Sequence, residues 1–310
     1  MEMPASWSEV RPLLLPKVRE RYFLSFAEGP PRLFRPLGRD LAVGLVLDHP
    51  KLVVYLTEPM LADWGLSADE VFEAATENLL RRTPGKPFEQ LAPGLYRSPW
   101  QDGYDATRLL FIPLMASLSL AGSPVAVPLT RNALLVAGSD DPVGLASMFQ
   151  AVRQGLSREE LLTPVPLRLD AGEWSAYAPA DASWLDVIVS HEAELYREQS
   201  LDLARHHAEN KVKTHVALLL PVRSADRLLF TLTHWPSEGE ALLPVANHVT
   251  LGTVGDPRLR AYAFEDALRH FGHYLREEPG FPRRYRSAGF PTAEELEAAP
   301  STPLASLVSG

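Results

Sequence analysis

The apolar residues change their period several times along the chain, and each change marks an element. Val71, Phe72, Ala75 and Leu79 fall on one side of a 3.6-residue repeat, with Glu70, Glu73, Glu77, Arg81 and Arg82 on the other. Ser67 followed by Glu70 forms a capping box in front of that repeat, so an amphipathic helix begins there. Upstream, residues 41–47 and 52–56 are continuous β-rich runs. With Asp48-His49-Pro50-Lys51 as the turn they predict a hairpin over 40–57, and His49 reads as a turn residue. Residues 6–28 read as helical: Ser6 or Ser8 is the N-cap, Pro12 lies near the first turn, Pro16 bends or restarts the helix, and Pro30-Pro31 ends it.

Further on, 83–87 reads as a loop and 94–97 as a short strand. The segment 103–108 opens a helix that Pro113 kinks or divides. Residues 125–129 and 133–137 form a strand pair around Thr130-Arg131-Asn132. Asp140 or Asp141 caps a helix with Pro142 at its first position, and Val143, Leu145, Met148, Phe149 and Val152 form its apolar side. Turn signals over 155–180 then mark a boundary, without a change in composition. Beyond it come a long helix over 183–209 with Trp184, Ile188, His191 and Leu195 in one stripe, strands over 212–221, 228–235 and 241–251, and a helix over 264–277. The fold class is α+β, in two α/β domains with mainly antiparallel sheets flanked by helices: 1–158, then 165–295, with 296–310 as a loose tail.

Composition narrows the chemistry. The chain has no cysteine, which removes disulfides, thiolate catalysis and cysteine-ligated metals. The net charge of −9 argues against general affinity for nucleic acid or an anionic membrane and suits a basic protein partner. No apolar run reaches the roughly 18–20 residues of a membrane span, and residues 1–26 lack the uninterrupted apolar stretch of a signal peptide. A cytoplasmic location follows as the expectation. No Gly-x-Ser-x-Gly, Walker loop or Gly-x-Gly-x-x-Gly occurs, and nothing calls for a cofactor.

The segment Asp102-Gly103-Tyr104-Asp105-Ala106-Thr107-Arg108 combines a glycine free to take unusual backbone angles, two carboxylates able to satisfy amides at a helix start, and an arginine able to form a fork-like pair. Two readings stand: a helix start pinned by its arginine, or a polar pocket for an anionic group made by Asp102, Gly103, Tyr104, Asp105 and Arg108. This segment resembles the Asp-Gly-Tyr-Asp-Ala-Ser-Arg motif of the YtpQ-like family, bacterial proteins of unknown function. Other stretches resemble that family in order: Leu47-Asp48 through a helix ending in Glu77-Asn78-Leu79-Leu80-Arg81, the strand Val125-Ala126-Val127-Pro128, and the strand and helix of 132–137 and 141–149. The resemblance covers about 40–155. It implies a fold and no reaction, and Pro113 departs from the uninterrupted helix of the relatives.

The nine histidines offer weaker patterns. His191 with Glu192 and Glu194, and His206-His207 with Glu209, echo ligand spacings, but the second histidine of a zinc-protease helix is missing. His270 and His273 lie one turn apart on a face that also reads as solvated, with Asp266–His270 and His273–Glu277 pairs. His215, His234 and His248 each fall in a strand and could converge with Thr233. The stretch Phe281-Pro282-Arg283-Arg284-Tyr285-Arg286 mixes basic and aromatic residues, as a solvated linker or as a contact for nucleic acid or an acidic partner. The combined expectation is a non-enzymatic protein-interaction or accessory module with an unidentified protein partner. The alternative is a hydrolase-type enzyme with its site around 102–108.

Overall fold

The computed structural model describes residues 6–25, 31–49, 51–156, 161–224, 226–253 and 259–308. The chain divides into two compact units, Met1–Ala178 and Pro179–Gly310.

The first unit begins with a helical turn, α1 (Trp7–Val10), then β1 (Leu14–Glu20), α2 (Arg21–Ser25), β2 (Phe34–Leu37), β3 (Leu41–His49) and β4 (Leu52–Tyr55). The predicted hairpin is present as β3 and β4, with Pro50 of its turn outside the described residues. The predicted helix over 6–28 is not. Its middle is a strand paired antiparallel to β3, from Leu14↔Leu47 to Glu20↔Leu41. Leu14, Leu15 and Val18 are buried in this strand, so tertiary pairing overrides local propensity. Residues 26–28 of that prediction, and Pro30, lie outside the described residues.

The outer edge of β1 is partly covered. The Arg21 amide donates to the Asp40 carbonyl, which sets the alternation so that residues 14, 16, 18 and 20 turn their backbone groups away from β3. The Leu14 carbonyl there accepts from Asn78 Nδ2 at 2.9 Å, Pro16 has no amide to satisfy, and the Val18 amide donates to Thr107 Oγ1 at 3.0 Å. Pro16 is therefore an edge-strand residue instead of a helix bend.

The rest of the unit comprises α3 (Glu58–Trp64), α4 (Ala68–Arg81), β5 (Glu89–Ala92), β6 (Leu95–Arg97), a 3₁₀ turn (Ala106–Leu110), α5 (Ile112–Ala116), β7 (Pro124–Thr130), β8 (Ala133–Gly138), α6 (Pro142–Gly155), β9 (Leu167–Asp170) and β10 (Glu173–Ala176). Both halves of the Ser67/Glu70 capping box are made, and Asp141 caps α6 by accepting from the Val143 and Gly144 amides. Six strands form a sheet in the order β10-β9-β7-β8-β6-β5. Strand β9 joins this sheet through β7, which carries the first unit well past residue 158. One core contains Val43, Leu45 and Leu47 of β3, Val71 and Ala75 of α4, and Ala126, Leu134 and Val136 of β7 and β8.

The second unit opens with α7 (Ala182–Asn210), capped by Asp181. It continues with β11 (His215–Val216), β12 (Leu220–Arg223), β13 (Leu229–Pro236), β14 (Ala241–Pro244), β15 (His248–Gly252), β16 (Arg260–Ala263), α8 (Phe264–Phe271), β17 (Leu275–Glu278), β18 (Arg284–Ser287), α9 (Ala293–Ala298), β19 (Thr302–Pro303) and α10 (Leu304–Leu307). Two sheets result, β11-β14-β18-β17 and β12-β13-β15-β16-β19. Pairing is antiparallel except between β11 and β14 and between β13 and β15. The helix predicted over 264–277 stops at Phe271, and 275–278 is instead β17, paired to β18. The predicted loose tail is tied down: Thr302 and Pro303 pair with Ala261 and Arg260, and only residues 309–310 of it lie outside the described residues. Together the two units give the α+β class expected from the sequence.

Candidate functional site

The motif 102–108 sits between the end of α4, the β7–β8 turn and the outer edge of β1. Gly103 has φ +81°, a conformation that suits glycine, and its amide donates to Asn132 Oδ1 at 2.7 Å. Asp105 is fully buried and accepts from the amides of Trp100 (3.1 Å) and Asp102 (3.3 Å). Asp102 Oδ1 accepts from the Tyr104 amide at 3.1 Å. Both carboxylates thus close the loop ahead of the 3₁₀ turn, where the sequence places them at the start of a longer helix. Phe111 breaks that helix with φ −95° and ψ 80°, and Pro113 falls in the first turn of α5.

Arg108 has no exposed surface. Its guanidinium donates to both oxygens of Asp102 (2.8 and 2.7 Å), to Thr83 Oγ1 (3.0 Å) and to the Arg82 carbonyl (3.2 Å). It also lies 4.4 Å from the centre of the Trp100 ring, whose Nε1 donates to the Pro84 carbonyl. The fork is spent inside the fold. Burial pushes the Asp102 carboxyl up, but the Arg108 hydrogen bonds and charge outweigh it, leaving the group below the usual carboxylate range. Of the five residues in the predicted pocket, Asp105 and Arg108 face inward as structural groups. Asp102 is half-exposed but bound to Arg108.

Tyr104 differs. Its side chain packs with Leu15, Val46, Leu79 and Phe111, and Lys17 Nζ lies 4.6 Å from the centre of its ring. Lys17 is only 8% exposed and Tyr104 only 5%. The Tyr104 hydroxyl is buried beside the Asp48 carboxylate, which acts on it by charge and as a hydrogen-bond partner. Burial raises its pKa, and the Asp48 carboxylate raises it further. Burial lowers the pKa of the Lys17 ammonium, and the Arg131 charge lowers it again. Asp48 is held by Arg82 Nη1 at 2.8 Å, and both line a surface cleft of about 510 Å³ together with Leu52 and Val53. Lys17 escaped the sequence reading because 6–28 reads as a helix. The available signal was a lysine inside the apolar run Leu13-Leu14-Leu15-Pro16-Lys17-Val18, in a chain with few lysines.

The histidines do not assemble. Among the described residues no group of three or more histidine, aspartate or glutamate side chains could hold a metal ion. His234 and His248 share one face of the β13–β15 pair, opposite the Thr233 side, and His234 Nδ1 lies 3.0 Å from Thr250 Oγ1. Burial lowers the pKa of both imidazoles, and the His215 charge lowers that of His234 further. His273 Nε2 is 3.3 Å from Glu295 instead of pairing with Glu277, and Asp266 pairs with Arg269 instead of His270. His207 Nδ1 lies 3.2 Å from the Thr214 carbonyl. The basic-aromatic stretch is likewise absorbed. Arg283 pairs with Glu277 and Arg286 with Glu278, both at 2.8–2.9 Å. Arg284 is buried, donating to Gln199, Ser200 and the carbonyls of Ala217 and Leu242.

No helix among the described residues is long and apolar enough to cross a membrane. No family model matches the chain, and no curated protein or solved structure does either.

Proposed function

We propose that this chain is a non-enzymatic interaction or accessory module of the bacterial cytoplasm, with a YtpQ-like first unit. The observation that carries the reading is where apolar side chains meet solvent. Among the described residues, six of the twelve exposed large apolar side chains lie between positions 185 and 228: Leu185, Leu201, Val212, Leu218, Leu220 and Leu228. Leu185 and Leu201 lie on α7, and Leu218 and Leu220 on the segment that runs back along it, from Thr214 beside His207 to Arg223 bonded to Asp186, with Val212 and Leu228 just outside its ends. Concentrated exposed apolar surface marks interaction sites. The net charge of −9 selects a basic-surfaced protein as the partner. The YtpQ-like assignment is supported by β3, β4, α4, the 102–108 segment, β7, β8 and α6 following one another within one unit in the order of the resemblance.

A hydrolase centred on 102–108 needs Asp105 and Arg108 at the wall of a concavity. Both are buried and bonded within the fold, so the geometry favours the interaction reading. Affinity capture from the native host with the wild-type chain and an L218E/L220E variant tests it. A stoichiometric protein retained by the wild type and lost by an equally stable variant is the expected result. Capture of a metabolite or metal in place of a protein would refute the reading.

A further inference from the structure

We propose that the cleft where the turn after α1 meets the end of α4 binds a phosphate group, with the guanidiniums of Arg11, Arg81 and Arg82 as its donors. The cleft measures about 400 Å³, within the range of small-molecule sites, and Arg11, Pro12, Asn78, Arg81 and Arg82 line it. The site belongs to the first unit alone and is independent of the partner reading of the second.

Its wall is held in place by a buried group. Arg11 lies in the turn Arg11–Leu13 ahead of β1, while Arg81 and Arg82 stand at the end of α4. Asn78, buried in the last turn of α4, joins the two segments. Its Nδ2 donates to the Arg11 carbonyl at 2.6 Å and to the Leu14 carbonyl at 2.9 Å, and its Oδ1 accepts from Arg81 Nη2. Both ends of one amide are thus spent on bringing arginines that are far apart in sequence to one cleft.

The arginines keep donors in reserve. A guanidinium carries five N–H groups. Among the described residues Arg11 spends Nη2 on Glu77 at 3.4 Å, Arg81 spends Nη2 on Asn78 and stands 3.9 Å from Glu77, and Arg82 spends Nη1 on Asp48 at 2.8 Å. Arg11 and Arg81 therefore share one carboxylate. None of the three has its fork closed on both oxygens of an acid, as Arg108 has on Asp102. Their side chains are 53%, 63% and 44% exposed, and ion pairs of that kind contribute little, so a ligand can add to them or take their place. Glu77 and Asp48 line neighbouring clefts and not this one.

The number and origin of the donors select phosphate over carboxylate. A carboxylate offers two oxygens in one plane, which a single arginine fork meets in full. A phosphate dianion offers oxygens in several directions, and three guanidiniums from two segments suit that shape. The opposing field is that of the C-terminal end of α4, equivalent to about half an elementary charge, which is less than any one of the guanidiniums. Its last carbonyls are also engaged: Asn78 accepts from the Arg82 amide, Leu79 from Thr83 Oγ1 and Leu80 from the Thr83 amide.

The test is a titration of the full chain, labelled at the arginine Nε and Cζ positions, with inorganic phosphate and separately with phenyl phosphate, against acetate and chloride at equal ionic strength. The expected result is a saturable shift of the Arg11, Arg81 and Arg82 resonances with a phosphate probe and not with acetate or chloride. Tighter binding of the first probe assigns free phosphate as the ligand, and tighter binding of the second a phosphate ester. R11A and R81A should each weaken binding about tenfold, equivalent to about 1.4 kcal/mol. R97A, which removes an exposed arginine paired with Glu89 elsewhere in the unit, should leave it unchanged. A wild-type chain without a saturable shift for either phosphate probe overturns the proposal, whatever the variants do. An equal response to acetate, or wild-type affinity in a folded R11A/R81A variant, overturns it as well.

Discussion

Replacing Arg108 with alanine is the sharpest test of the motif as a brace. The substitution removes two charge-assisted hydrogen bonds to Asp102, the bonds to Thr83 and to the Arg82 carbonyl, and the stack on Trp100. Breaking a buried ion pair by deleting one partner costs about 3–5 kcal/mol. Asp102, however, keeps 38% of its side chain in solvent and can rehydrate, so the lower end applies, about 3 kcal/mol. With a urea m value of about 2 kcal/mol/M, the midpoint of the first unit's transition should fall by about 1.5 M at unchanged m. R108K keeps the charge but not the planar fork and should lose less. Tryptophan fluorescence follows the transition, since Trp100 stacks on the deleted group. The pH dependence supplies an internal control. The folded Asp102 carboxyl lies below its unfolded value of about 3.9. Its stabilisation is therefore fully present above that unfolded value and disappears as the pH falls through the folded one. The gap between wild type and R108A should narrow in acid. A loss below about 1 kcal/mol near neutral pH would refute the brace, because a guanidinium with these partners cannot then be what fixes the segment.

Other outcomes follow from the same structure. Arg284→Met should destabilise the second unit by about 2–4 kcal/mol, read by urea unfolding, because it takes the buried donors from the Ala217 carbonyl and the Gln199 side chain, while the Leu242 carbonyl keeps the Ala217 amide and Ser200 keeps the Tyr196 carbonyl. His234 and His248 have lowered values when folded, so the unfolded chain binds their protons more readily. The second unit should therefore be at full stability above about pH 6.5 and lose it as the pH falls through the folded values, with H234Q/H248Q flattening that loss in denaturation midpoints taken across the range. Gly144→Ala would place a Cβ 2.6 Å from the Gly94 carbonyl oxygen, and a thermal melt should show a loss of about 1–3 kcal/mol.

The sequence disclosed elements wherever a local signal and the tertiary outcome agree. Ser67 and Glu70 fix the start of α4, Asp141 and Pro142 that of α6, and the β3–β4 hairpin needs only its apolar runs and turn. Prediction failed where a distant partner decides. Leu14 to Glu20 becomes a strand because β3 is there to receive it, and 275–278 because β18 is. The 102–108 segment was legible as a helix start with a fixed arginine. That the arginine turns back onto Asp102 and not toward a ligand depends on Thr83, Arg82 and Trp100, which arrive from other parts of the chain. Lys17 and Tyr104 are far apart in sequence, and their meeting depends on β1 being a strand. The buried Arg284 was hidden because its neighbours Arg283 and Arg286 pair with Glu277 and Glu278, and only the contact of Arg284 with Gln199 and Ser200 of α7 sets it apart.

The proline at the rim of β1 has a counterpart in the second unit. The Ser224 amide donates to the Leu228 carbonyl, so along β12 the residues at 220 and 222 face β13 and Pro221 faces away. Each of these two strands ends its sheet with a residue that has no proton to offer an incoming backbone. In β1 the flanking Val18 amide and Leu14 carbonyl are already taken. Association by adding a strand at either rim is therefore disfavoured, in a chain that otherwise carries leucines in solvent beside one of them. A protein bound there would have to be held through side-chain shape and charge. Restoring a proton at Pro221 would remove that guard from the second rim, whereas at Pro16 the engaged Val18 amide and Leu14 carbonyl would still stand in the way.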